Sequence, residues 1–152
     1  MPEKATLERA RRDKREGKAP STQAGEFVRE EFDHIREGKH GARSTKQAIA
    51  IGLSKARRSG VNLPPPPRNA KSSTKRSAAS ASRAGRSGRK RTSTKRSRAT
   101  SAALKREGRS AASKKSLARQ ARSAARRRSP AARKRSARRA AQTRQRRRRA
   151  TT

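Results

Sequence analysis

The stretch Thr22-Gln-Ala-Gly-Glu-Phe-Val-Arg-Glu-Glu-Phe-Asp-His-Ile-Arg-Glu-Gly38 decides how this chain begins to fold. Ala24, Phe27, Val28, Phe32 and Ile35 recur at intervals of 3, 1, 4 and 3. That spacing lines one face of an α-helix, from about Thr22 to Glu37. Pro20 and Ser21 precede the helix, and Gly38 ends it. Both aromatic residues of the chain, Phe27 and Phe32, lie on this face. Arg29, Glu30, Asp33, Arg36 and Glu37 take the opposite side, and Glu30 and Glu31 read as ordinary solvent-face charges.

Downstream, Ser44 and Gln47 have the S-x-x-Q spacing of a capping box, which opens a helix from Thr45 to about Arg58. Ile49, Gly52, Leu53 and Ala56 share its apolar face. A glycine in mid-helix costs about 1 kcal/mol against alanine, so Gly52 implies that another helix crosses closely there. Gly60 sits where a left-handed C-terminal cap belongs, with Val61 folding back onto Ala56. Lys55, Arg57 and Arg58 suit the negative end of the helix dipole. Upstream, Pro2 to about Glu16 reads as a helix stopped by Gly17; with only Leu7 and Met1 as large apolar residues, it is expected to be loosely attached.

These elements predict a mostly α protein: a small helical hairpin module of two to three helices over residues 1–63. Its expected core is Phe27, Val28, Phe32, Ile35, Ile49 and Leu53, with Val61 and Leu63 at the edge. So small a core calls for a second contact. A homodimer or a protein partner is therefore expected, with Ile51 a candidate for that contact. Pro64 to Pro67 form a stiff polyproline spacer.

Beyond the spacer the composition changes. Residues 68–152 hold 32 lysines and arginines against one acid, Glu107, a balance of +31. The first 67 residues carry 15 basic and 9 acidic side chains, a balance of +6. Leu104 and Leu117 are the only large apolar residues after Leu63. Segments this charged bury too little to offset their ordering entropy, so a long disordered basic tail is expected over 68–152. Alanine and arginine do favour helix, and two helical pieces, about Ala111–Arg127 and Pro130–Arg148, are expected once phosphates neutralise the charge. Ser129 and Pro130 mark the break between them, as an N-cap followed by proline in the first turn.

A +31 segment calls for a polyanion. The candidate nucleic-acid contacts are the dense clusters: Arg89, Lys90, Arg91, Lys95, Arg96, Arg126, Arg127, Arg128, Arg133, Lys134, Arg135, Arg138, Arg139, Arg146, Arg147, Arg148 and Arg149. No aromatic is interleaved with them, which argues against single-strand stacking. Such contacts give affinity without sequence information.

Other chemistry is sparse. Cysteine is absent, so neither a disulfide framework nor a thiolate metal site is available. His34 and His40 read as surface histidines, and no metal or cofactor is expected. Asp33 beside His34 is no catalytic pair, because helix neighbours point apart. Neither a phosphate-binding glycine loop nor a nucleophile with its base is present, so an enzyme is not expected. No apolar stretch approaches the roughly 20 residues needed to span a bilayer. The expected location is the cytoplasm, at the nucleoid.

The block Ser44-Thr-Lys-Gln-Ala-Ile-Ala-Ile-Gly-Leu-Ser-Lys-Ala-Arg-Arg-Ser-Gly60, with the preceding GKAPSTQAGEFVREEFDHIREGKHGARS, resembles a small uncharacterised bacterial family with a KQAIAIGLS-type helix. Some of its members are labelled plasmid stabilisation or DNA-binding proteins. The likeness covers about residues 5–67 and implies a bacterial source; no mechanism comes with it. Separately, the tail resembles histone H1-like basic tails in composition. Together the residues and the resemblance predict sequence-nonspecific DNA binding, in a nucleoid-associated or plasmid-maintenance role. Two alternatives stay open: an adaptor whose helical module binds a protein, and an RNA- or ribosome-binding protein.

Overall fold

The computed structural model describes residues 1–88 and 93–149, apart from the side chain of Arg147. Seven α-helices account for most of the described residues: α1 (Lys4–Arg15), α2 (Pro20–Arg36), α3 (Thr45–Arg58), α4 (Ser72–Arg86), α5 (Thr94–Lys105), α6 (Lys114–Arg126) and α7 (Pro130–Arg149). A 3-10 turn, Ser110–Ala112, lies between α5 and α6. The chain divides into two compact units, Met1–Ser116 and Leu117–Thr152, so the proline run lies inside the first unit.

The hairpin of α2 and α3 is the centre of the first unit. Phe27 and Ile35 are fully buried and Phe32 nearly so. Leu53, Val61 and Leu63 pack at the edge of the core. The helices cross where Gly52 faces Val28: a Cβ on Gly52 would stand 2.7 Å from Val28 Cα and 2.9 Å from its Cγ2. The glycine therefore sets how closely the two backbones approach. At the start of α3, Ser44 Oγ accepts from the Gln47 N–H at 3.2 Å. The Gln47 side chain reaches back to the Arg43 N–H at 2.8 Å, one residue before the cap. At its end, Gly60 has φ +88. The Gly60 N–H bonds to Arg57 O and the Val61 N–H to Ala56 O, both at 3.1 Å, completing the Schellman motif.

Around this hairpin the chain adds three elements. The first helix is firmly attached, against the expectation of a loose one. Its Ala10 is buried, Leu7 packs on the core, and Arg9 pairs with Glu26 of α2. Next, the guanidinium fork of Arg57 holds the carbonyls of Leu63 and Pro64 at 3.0 and 2.8 Å, which directs the chain into the proline run. After the run α4 returns along α3, with Ala81 buried and Gly85 set against the carbonyl of Arg57.

The third addition comes from far down the chain. Gly41 and Ala42, in the loop between α2 and α3, donate their N–H groups to Leu104 O and Gly108 O at 2.9 and 3.0 Å. The space a side chain would need at Gly41 is filled by the carbonyl of Glu107. Ala111 and Ala112 are buried, and the Thr45 hydroxyl donates to Ala111 O at 2.7 Å. The turn thus closes the corner where α2 ends and α3 begins.

These observations overturn the two- to three-helix module with a long disordered basic tail. Residues 72–149 carry α4 to α7, and their start contributes to the core. The magnitudes account for the difference. Like charges three or four apart on a helix cost only about 0.2–0.5 kcal/mol per pair, and alanine and arginine rank among the best helix formers. Small residues also let a basic segment dock: Ala81, Gly85, Ala111 and Ala112 bring backbone close to backbone with no bulky side chain to bury.

In the second unit, Ser129 Oγ accepts from the Ala132 N–H at 3.2 Å and caps α7. The break at Ser129-Pro130 stands where it was expected. Among the described residues no helix is long and apolar enough to cross a membrane.

Candidate functional site

Two features stand out: an array of exposed cations on the later helices, and a buried cluster of carboxylates and histidines in the first unit.

Of the expected phosphate contacts, Lys95 and Arg96 lie exposed in the first turn of α5. Arg126 ends α6, and Arg127 and Arg128 follow it, all exposed. Arg133, Lys134, Arg135, Arg138, Arg139, Arg146, Arg148 and Arg149 are exposed on α7, and Arg147 lies on the same helix. At about 100° per residue these positions project around most of the circumference of α7. Arg89, Lys90 and Arg91 lie outside the described residues. Helix α6 is built differently. Arg119, Arg122 and Arg126 recur at intervals of 3 and 4 and share one side, whereas Leu117, Ala121 and Ala124 share another. Arg119 and Arg122 were missed because they sit in no dense run; the i, i+3, i+7 spacing is the signal that finds them.

The sequence reading of Glu30 and Glu31 as solvent-face charges is wrong. They are 3 % and 0 % exposed. Lys55 reaches between them, with its Nζ 3.2 Å from Glu30 Oε1 and 2.7 Å from Glu31 Oε2. The helix-end role given to Lys55 is thus secondary to this pair of contacts. Burial pushes the Glu30 carboxyl up, but hydrogen bonds from the Thr6 hydroxyl, the Glu3 N–H and Lys55 outweigh it. They hold Glu30 below the ordinary carboxylate value. Glu31 is less well provided for. Lys55 is close in charge terms, yet neither Glu31 oxygen receives a well-directed hydrogen bond.

His34 and His40 border this cluster and are mostly covered, with side chains 13 % and 16 % exposed. The Nε2–H of His34 donates to Glu3 Oε1 at 2.9 Å. That bond, followed by one from Lys39, holds the Glu3 carboxyl below its usual value. The two imidazole rings meet edge to face, their centres 6.0 Å apart. His40 Nε2 stands 3.3 Å from Glu31 Oε1. Glu31 and His34 are three apart on α2, so a shared helix face was legible; burial of that face was not, because it depends on α3 and the loop.

Residues 4–68 match the model of a family of unknown function, DUF6496. The similarity takes in α1 to α3 and the proline run and stops short of α4. No curated protein and no solved structure matches the chain.

Proposed function

We propose that this protein binds nucleic acid, duplex DNA foremost, without sequence preference and without a catalytic step. The reading places it at the nucleoid or in plasmid maintenance. One observation carries it: beyond residue 67, 32 cationic side chains face a single acid, Glu107. So large an excess cannot be neutralised within the segment, and phosphate backbones are abundant polyanions of matching geometry for arginine forks.

The helices support a division of labour. Helix α6 offers arginines on one side and suits a single row of phosphates. Helix α7 offers them all round and suits contact with more than one duplex, which would bridge strands. In the test, a fluorescent duplex is titrated with the full chain and with a variant carrying Arg138→Gln, Arg139→Gln, Arg146→Gln and Arg149→Gln. Affinity should fall by a similar factor on unrelated sequences, because phosphate contacts carry no base information. Unchanged affinity would overturn the role of α7. Tighter binding of duplex RNA than duplex DNA in the same titration would move the reading to RNA.

A further inference from the structure

We propose that Glu31, His34 and His40 form a binding site for a zinc-class divalent cation. The three residues offer one carboxylate oxygen and two imidazole nitrogens, all within 4.8 Å of one another. The site is independent of the cationic helices and of the nucleic-acid reading.

Three observations support it. The first is separation. Tetrahedral ligands at ~2.0–2.1 Å from zinc stand about 3.3 Å apart, and Glu31 Oε1 and His40 Nε2 are 3.3 Å apart. The second is the tautomer of His40. Its Nδ1 lies 3.0 Å from the carbonyl of Gly41, which can only accept, so Nδ1 carries the proton. In the neutral ring the lone pair of Nε2 then faces a carboxylate oxygen, a contact that either a shared proton or a bound metal ion would relieve. Fixing a ligating imidazole through its other nitrogen is what metal sites use. Third, the charge is unbalanced. Glu30 and Glu31 are both buried and share one ammonium, Lys55, and neither oxygen of Glu31 has a well-directed hydrogen bond. A buried carboxylate in that condition is costly unless a cation compensates it.

The donor set selects the metal class. Two imidazoles with one carboxylate suit zinc, cobalt or nickel, whereas calcium and magnesium prefer all-oxygen shells. Solvent would complete the coordination at the partly open edge beside the histidines. Glu3, on the Nε2–H of His34, would orient that ring. The site's effect would be to tie the loop that carries His40 to α2. Gly41 and Ala42 of the same loop hold Leu104 and Gly108, so the metal would brace the corner where the later chain docks.

The test uses the full chain, stripped with a chelator and titrated with Co²⁺ and Zn²⁺. His34 and His40 are the only histidines, and there is no cysteine, so a histidine–cobalt signature reports on this site alone. One equivalent of Co²⁺ should give the visible bands of a four-coordinate ion, displaced by Zn²⁺. Zn²⁺ should raise the melting temperature and shift the ¹⁵N resonances of both imidazoles. His40→Ala and His34→Ala should each weaken binding by more than about 100-fold, beyond the ~10–100-fold typical of an outer partner. Glu3→Ala should fall within that outer range. If a variant fails to fold, the wild-type imidazole shifts still decide the matter. Absent cobalt bands, imidazoles that ignore Zn²⁺, or equal binding by folded His40→Ala and His34→Ala would each overturn the site.

Discussion

At Gly52 and Lys55 single residues decide how the first unit packs. A Cβ at Gly52 would press on the backbone of Val28, which cannot swing aside as a flexible side chain can. Gly52→Ala gains about 1 kcal/mol of helix propensity. It loses up to about 3 kcal/mol through overpacking. A net destabilisation of up to about 2 kcal/mol is expected in denaturant melts of the full chain; a more stable variant would mean that α2 and α3 do not cross there. Among the described residues Lys55 is the sole ammonium serving two buried carboxylates. Lys55→Met should cost about 3–5 kcal/mol, the usual penalty for leaving a buried charge unpaired. Adding Glu31→Gln should recover part of that loss, with melts run in chelator so that bound metal does not contribute. Additive losses would show that the two groups do not interact.

Among the elements, those whose signal is local could be read from the sequence. The bounds of α3, the cap at Ser44, the Schellman motif at Gly60 and the break at Ser129-Pro130 all follow from neighbouring residues. So did the close approach at Gly52, because a mid-helix glycine has a cost that only packing offsets. Contacts across long stretches of chain were not legible. The docking of Leu104 to Ala112 relies on backbone carbonyls and the two buried alanines Ala111 and Ala112, and composition does not distinguish these from a solvated polycation. The burial of Glu30 and Glu31 was hidden for the same reason: their partners Lys55, Thr6 and His40 come from other elements. Thr45→Val tests the docked turn. Removing the hydroxyl leaves the buried carbonyl of Ala111 unpaired, a cost of about 1–3 kcal/mol. Amide exchange at Gly41 and Ala42, whose N–H groups serve Leu104 and Gly108, should speed up. Exchange rates equal to wild type would mean that the turn does not hold the segment in place.

For the whole molecule, charge is the dominant property. The hairpin region carries both signs and uses its acids internally, as with Glu3, Glu30 and Glu31. The later helices carry an excess that nothing within them offsets. The expectation of a second copy rested on the small size of the hairpin core. The structure enlarges that core with α1, α4 and the 3-10 turn of the same chain. The central claim is that the cationic helices bind nucleic-acid phosphates, and salt dependence tests it most directly. Full-length protein is titrated onto a short duplex at rising salt, and the logarithm of the binding constant is plotted against the logarithm of salt concentration. Engagement of about 6–10 phosphates predicts a straight line with a loss of roughly 10³–10⁵ in affinity between ~50 and ~200 mM salt, the same for unrelated sequences. A flat line, or a response confined to one sequence, would contradict the account.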